Sequence, residues 1–396
     1  LIVLKELKNV FAQQSQELKN GYPFLFEILD PEMYDKDLLT SAFQMFSVIC
    51  TDYIHTADPV YVRPCLELIF KYAQQAKDIN ISLSSFDLIW NVVKIMEKND
   101  DNWTHFLFKI SDLFFDSRND VAHCAVKTFF TYITSNYQQI STKTIDYFRN
   151  KGFTNIVNRF SFQNQESLSV LQQILYEIIH FFVTFWDNFN LSNSEIDFYI
   201  RKNEELIMNC TVNDLIVNAY QFYECLVGEG IIDNDLNNLV VESLTRLSDN
   251  KLVKIENINS SVVSQFGRTI GNLLKSFPRR LTDVDQYSEK DSLAFKSYLQ
   301  IIEHIAVTYR TENYIHITTQ RTLDALSYII PYVPIKEAEE SLEILKHLYL
   351  SDNEKIKNAG VKEMEDAFLT CFHPISNETN ERSESSNTES ETVDEK

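Results

Sequence analysis

Glycine and proline are scarce, with 7 and 8 among 396 residues. Sandwich, barrel and parallel-sheet folds need those residues at their many turns, so their shortage excludes a sheet-rich architecture and favours helices joined by short links. Positive charge is also short: 36 Lys and Arg face 57 Asp and Glu, a formal net charge of -21. Phosphate contact depends on clustered Lys and Arg, which argues against a nucleic-acid binder and against direct attraction to anionic membrane. The local basic spot Lys275, Arg279 and Arg280 reads as a solvated loop in preference to a phosphoinositide site. Six cysteines, Cys50, Cys65, Cys124, Cys210, Cys225 and Cys371, contain no C-x-x-C pair. Set mostly in apolar helical patterns, they read as small buried hydrophobes of a reducing compartment. No signal peptide occurs, and no uninterrupted apolar span of about 18 residues. The nearest, Leu168 to Phe189, is broken by Gln172, Gln173, Glu177 and His180, which predicts a buried helix.

Motifs of catalysis are missing as well. Neither a G-x-G-x-x-G nor a G-x-x-x-x-G-K-[ST] phosphate cradle occurs, and Gly228 with Gly230 is the tightest glycine pair. Gly267 and Gly271 form a G-x-x-x-G in a polar helix, which reads as close packing of helices. The eight histidines, His55, His105, His123, His180, His304, His316, His347 and His373, contain no H-x-x-x-H and no H-E-x-x-H. His123 and Cys124 are adjacent, but adjacent residues on a helix point about 100° apart and do not form a nucleophile–base pair without distortion. Glu363 with Glu365, and Glu337 with Glu339 and Glu340, lie in charged stretches that read as solvated faces. No catalytic, cofactor-binding or metal residue is therefore assigned, no cofactor is expected, and the chain is expected not to be an enzyme; its partner-binding residues stay unknown at this level.

What the chain does have is amphipathic periodicity up to Pro374. Leu4, Leu7, Val10 and Phe11 begin it, and the pattern returns over residues 38–53, 61–75, 83–96, 103–115, 121–135, 142–149, 167–188, 194–209, 213–227 and 233–247. It continues through 260–275, 288–309, 318–330, 335–350 and 354–372, about sixteen helices with short links. Candidate N-caps are Asp58, Ser82, Asp101 and Asp120. The weakest joints, 228–234 and 277–291, are candidate hinges. His180, Phe181, Phe182, Phe185, Trp186 and Phe189 crowd one helix, which predicts packing between helix layers. After Pro374 the periodicity stops and Glu, Ser, Thr and Asn dominate, so 374–396 reads as a disordered acidic tail or linker.

Three helix starts share one pattern, an apolar residue followed by two small residues and then two more apolar ones. The copies are Leu38, Ser41, Ala42, Phe43, Phe46; Val121, Cys124, Ala125, Val126, Phe129; and Ile356, Ala359, Gly360, Val361, Met364. Their offsets are close to multiples of roughly 40 residues, the length of a two- or three-helix unit. The expected fold is an all-α, HEAT/armadillo-type helical-repeat solenoid over 1–373. The chain opens on Leu1, which points to a segment of a longer polypeptide.

Several early blocks then match a known pattern. These are Gly21-Tyr22-Pro23 with Phe26, Ile28 and Leu29; Phe43-Gln44 leading to Ile49-Cys50-Thr51-Asp52; Asn80-Ile81-Ser82-Leu83 leading to Leu88-Ile89-Trp90-Asn91; and Arg118 with Val121, Ala125 and Thr128. In order and separation they resemble the C-terminal half of the Mon-two family, large Golgi and endosome scaffolds related to the large Arf guanine-nucleotide exchange factors but lacking the catalytic Sec-seven module. The likeness covers the first third of the chain. Tyr22, Asn119 and Ala122 depart from it, standing where the family has Trp, Pro and Arg, and the missing Arg at Ala122 removes a polar contact between helices.

The resemblance implies a non-enzymatic, protein-binding scaffold in endosome-to-Golgi vesicle traffic and protein transport. It would be cytoplasmic and peripheral on Golgi and endosome membranes, with membrane association indirect, through its partners: a Dopey-type protein, an aminophospholipid flippase and an Arf-like GTPase. Two alternatives stay open at the level of sequence: a regulatory helical segment of a true large Arf exchange factor, and a nuclear-transport-type solenoid receptor.

Overall fold

The computed structural model describes residues 21–96, 100–162, 164–185, 191–228 and 234–247, the short stretches 261–262, 265–269 and 339–343, and residues 6, 272, 296 and 299. Twelve helices account for most of the first five stretches. They are α1 (Tyr22–Ile28), α2 (Lys36–Val48), α3 (Val62–Gln74), α4 (Ile79–Val93), α5 (Asp100–Asp112), α6 (Asn119–Ser135), α7 (Thr142–Tyr147), α8 (Phe153–Arg159), α9 (Gln165–Thr184), α10 (Asn193–Asn209), α11 (Asn213–Gly228) and α12 (Asn234–Leu247). No strand occurs among the described residues.

Helix starts follow from side chains that take up orphan backbone N–H groups. Asp35 accepts from Leu38 N, Asp78 from Asn80 N and Ile81 N, and Ser141 from Thr144 N. Asn164 accepts from Glu166 N, and Ser192 with Glu195 closes a capping box at α10. The cap at α4 corrects the sequence reading. Ser82 is a buried residue inside the helix and Asp78 starts it, a full turn earlier. Asp101 and Asp120 likewise lie within α5 and α6, whereas Asp58 does cap, opening a 3-10 turn at Pro59–Tyr61. Two short helices have no counterpart in the periodicity, α1 and α8, each of 7 residues. Seven residues hold too few apolar positions to establish a 3.6-residue period.

Packing sorts the helices into two layers. α1 packs on α3, α3 on α5 and α5 on α7, while α2 packs on α4, α4 on α6, α6 on α9 and α9 on α11; α10 packs on α12 in the first layer. Within a pair, α3 also packs on the α4 that follows it, α5 on α6 and α10 on α11. First-layer helices begin at Tyr22, Val62, Asp100, Thr142, Asn193 and Asn234, about every forty residues except for the longer step from Thr142 to Asn193 that contains α8, close to the spacing of a HEAT/armadillo unit. The chain is an all-α solenoid of that type. Contacts divide it into two compact units, Leu1–Glu256 and Asn257–Lys396. In the second unit Val262, Phe266, Thr269, Leu299 and Ser341 are buried, and Lys296 Nζ lies 3.9 Å from Glu340 Oε1.

The repeat pattern falls where a repeat should. Leu38 to Phe46 lies on α2 and Val121 to Phe129 on α6, both in the second layer. The small residues Ala42 and Ala125 are fully buried there, which lets neighbouring helices approach closely. The third copy, at Ile356 to Met364, lies outside the described residues, as do the 277–291 joint, residues 229–233 of the other joint and the tail 374–396.

Candidate interaction faces

Two features of the first unit bear on what it does: a stitched edge that fixes the stacking of repeats, and an open second-layer face.

The edge is made by the turns between first- and second-layer helices. Tyr72 OH donates to Leu29 O at 2.7 Å, Lys71 pairs with Asp30, and Lys77 Nζ donates to Pro31 O at 2.8 Å and to Tyr34 O. One repeat on, Arg118 donates to Ala73 O at 2.9 Å, Gln75 O at 2.6 Å and Ser82 Oγ at 3.0 Å while gripping both oxygens of Asp116. Arg159 then sits 3.7 Å over the Phe115 ring, and Gln165 bonds Asn209 O and Thr211 N. Apart from Arg118 with its near neighbour Asp116 and with Ser82, 36 residues away, the hydrogen-bonded partners lie 41 to 46 residues apart, one repeat length, so each turn is held by the next. Burial alone would raise the Asp116 carboxyl, but the hydrogen bonds and charge of Arg118 reverse this and hold it below its ordinary value. Arg118 thus supplies a polar link between repeats although Ala122 does not. The sequence signal for this was its place four residues before Ala122, in a block noted only for resemblance.

The second-layer face presents Asp87 and Trp90 from α4, His123, Cys124 and Lys127 from α6, and Tyr176, Glu177 and His180 from α9. Trp90 is 37% exposed and lies on Tyr132 with ring centroids 4.1 Å apart. Burial pushes the Glu177 carboxyl up, against the pull of His180 and Lys127. His123 brings together residues that sequence spacing did not connect: its Nδ1 lies 2.5 Å from Gln173 Oε1 and its Nε2 2.9 Å from Ser169 Oγ.

The order Ser169, His123, Gln173 resembles a nucleophile, base and orienter, but the geometry opposes that use. The Ser169 hydroxyl donates to Glu166 O at 2.8 Å, so its oxygen accepts from the imidazole and is not primed by it. Ser169 also lies inside α9, where backbone N–H groups are taken by the helix ladder and none is free to stabilise an oxyanion. The arrangement clamps α6 to α9. Cys124 faces Thr128 Oγ1 at 4.0 Å, and burial pushes its thiol up, away from the thiolate a nucleophile needs.

The remaining candidates sort by burial. Phe181 and Phe182 are buried and Phe185 is half-buried, with Phe182 edge-on to Phe153 of α8, so the described part of the aromatic helix is interlayer packing. Trp186 and Phe189 lie outside the described residues. α9 is long and apolar enough by length and composition to cross a membrane, but its apolar side chains Leu171, Ile174, Ile178 and Ile179 are fully buried against neighbouring helices. Cys50, Cys65 and Cys210 are buried as expected, Cys124 and Cys225 half-buried. Among the described residues no three His, Cys, Asp or Glu side chains converge on a metal-sized site. Gly230, Gly271, Lys275, Arg279, Arg280, Glu337, Glu363, Glu365, Cys371 and the last four histidines lie outside the described residues.

No family model matches the chain. A stretch of it is 31% identical over 87 residues to Protein MON2 homolog of Drosophila melanogaster, covering 21% of this chain and 5% of that protein. Another similarity, 27% over 96 residues, is to Protein MON2 homolog of Xenopus laevis, covering 23% of this chain and 6% of that one. The matched stretch therefore spans only about a twentieth of these relatives' length. Among solved structures, the TSC2 N-terminus covers 89% of this chain and 95% of its own at 12% identity and a TM-score of 0.36. Importin beta covers 89% of this chain and 50% of its own at 10% identity and a TM-score of 0.33.

Proposed function

We propose that the chain is a non-enzymatic scaffold segment that binds other proteins in endosome-to-Golgi traffic, working peripherally on those membranes through its partners. The observation that carries the reading is the similarity of about a fifth of the chain to two MON2 homologs. The architecture supports it. A stacked two-layer solenoid offers extended surface, a design suited to recognition by area and shape. The second-layer face supplies polar side chains with Trp90 among them, and aromatic residues of that kind anchor protein interfaces. The partners proposed are a Dopey-type protein, an aminophospholipid flippase and an Arf-like GTPase, with no nucleic acid, in keeping with the net charge of -21.

Affinity purification from cell lysate, with the full chain as bait beside a form lacking 374–396, tests the reading. Recovery of Dopey-type and flippase proteins by both baits is the expected outcome. Recovery of nuclear-transport components or basic nuclear cargo, with no Golgi or endosome protein, overturns it.

A further inference from the structure

Cys50 and Cys65 are the only described cysteines whose sulfurs meet. Cys50 lies in a π-helical turn, Ile49–Tyr53, that prolongs α2, and Cys65 lies on the first turn of α3. Both are fully buried, and their sulfurs stand 3.6 Å apart, in van der Waals contact and beyond bonding distance. Ordinary buried cysteines need no such meeting: Cys210 is as deeply buried and turns its sulfur to Val212 O. The two sulfurs are held by elements of different strength. α3 is a 13-residue helix in the packed first layer, whereas the chain from Ile49 to Tyr61 is a π turn and two 3-10 turns in sequence. Such short turns carry few hydrogen bonds each and open at lower cost than long helices.

We propose that Cys50 and Cys65 form a redox modification site, two thiols closing to a disulfide that staples the end of α2 to α3. The oxidant is a small peroxide admitted when the Ile49–Tyr61 turns open. One thiol gives up its proton and takes an oxygen from hydrogen peroxide, forming a sulfenic acid and releasing water. The second sulfur then attacks that sulfur, the S–S bond forms and a second water leaves. Two thiols and one peroxide yield one disulfide and two waters, with the two electrons passing from sulfur to peroxide oxygen. Burial pushes the Cys50 thiol well up, which keeps the closed site reduced and makes opening of the turns the gate. Once formed, the bridge closes a loop over the π and 3-10 turns between α2 and α3 and restrains them.

The test treats the folded full chain with graded hydrogen peroxide, alkylates remaining thiols under denaturing conditions, digests without reduction and maps the peptides by mass spectrometry. The expected product is a single cross-linked pair carrying Cys50 and Cys65, lighter by two hydrogens and released by dithiothreitol. The thermal midpoint of the oxidised chain rises by several degrees and returns on reduction, and neither change occurs in Cys65→Ser. Because that variant itself alters packing, Cys210→Ser serves beside it and should keep the cross-link. Alkylation of both cysteines at every peroxide dose, their conversion to sulfinic or sulfonic acids without a bridge, or a scrambled set of pairings like that of the unfolded chain each overturns the proposal.

Discussion

Arg118 stands just before α6 and spreads one guanidinium over the Asp116 carboxylate, two backbone carbonyls of the preceding repeat and the Ser82 hydroxyl. The planar fork suits this, because its five donors point to fixed directions that a lysine cannot reproduce. Replacing it by alanine takes the guanidinium from Ala73 O, Gln75 O and a mostly buried carboxylate, leaving Gln75 O the Ser82 hydroxyl and Asp116 the backbone N–H of residue 118, so Arg118→Ala should cost about 3 kcal/mol in denaturant unfolding, with Arg118→Lys recovering little of it. The pH dependence has a definite sign. With its folded value depressed, Asp116 contributes stability that is present above the unfolded carboxyl range near pH 4 and is lost as pH falls through the folded value. In Arg118→Ala the guanidinium's share of that contribution is gone while the backbone N–H of residue 118 still donates, so the stability gap between wild type and variant should narrow as pH falls below about 4. A gap that stays constant down to the acid transition would show that the pair does not contribute in this way.

At the scale of elements, the chain from Thr142 to Arg159 shows how a helix tolerates an irregularity. α7 and α8 are joined without a break by the π turn Phe148–Gly152. A Cβ at Gly152 would stand 2.6 Å from Phe148 Cδ1, and that ring is buried among Phe108, Phe129 and Phe153 with nowhere to move. Alanine gains about 1 kcal/mol of helix propensity over glycine, while overpacking costs about 1–3 kcal/mol; Gly152→Ala should therefore lower stability, by up to about 2 kcal/mol, in a thermal or urea unfolding series. On α9 the expected sign is the opposite. Burial raises the Glu177 carboxyl, a cost that appears as pH rises through the unfolded and then the folded value. Glu177→Gln should be no less stable than wild type at pH 7, with its advantage vanishing below the unfolded carboxyl range. These elements also mark what the sequence displays and what it hides. α6, α9 and α10 are long and amphipathic, so their periods are legible to within a few residues, and the shared small-residue pattern correctly groups α2 with α6. α1 and α8 are too short to show a period. The second layer as a candidate face, and the meetings of His123 with Ser169 and of Cys50 with Cys65, were hidden for another reason: they join residues 46 and 15 apart, brought together by helix stacking and by no local pattern.

Over the whole first unit, a solenoid of this kind has stability close to a sum of repeat terms and nearest-neighbour interfaces. Arg118 acts between the second and third helix pairs, while Arg246 of α12 grips Glu204 of α10 at 2.9 Å, with Ser243 donating to the same carboxylate at 3.0 Å. The two links share no partner and lie several helices apart. Arg246 is 40% exposed, so Arg246→Ala should cost only about 1 kcal/mol. If stability is built from local interfaces, the double variant Arg118→Ala/Arg246→Ala should lose the sum of the two single losses to within about 0.5 kcal/mol. Within one link the behaviour differs: once Arg118 is gone, Asp116→Ala removes a stranded carboxylate, so Arg118→Ala/Asp116→Ala should lose less than its single variants summed. Urea unfolding of the five variants followed by circular dichroism reads both cycles, and strong coupling between the distant pair would overturn the independence of the two interfaces.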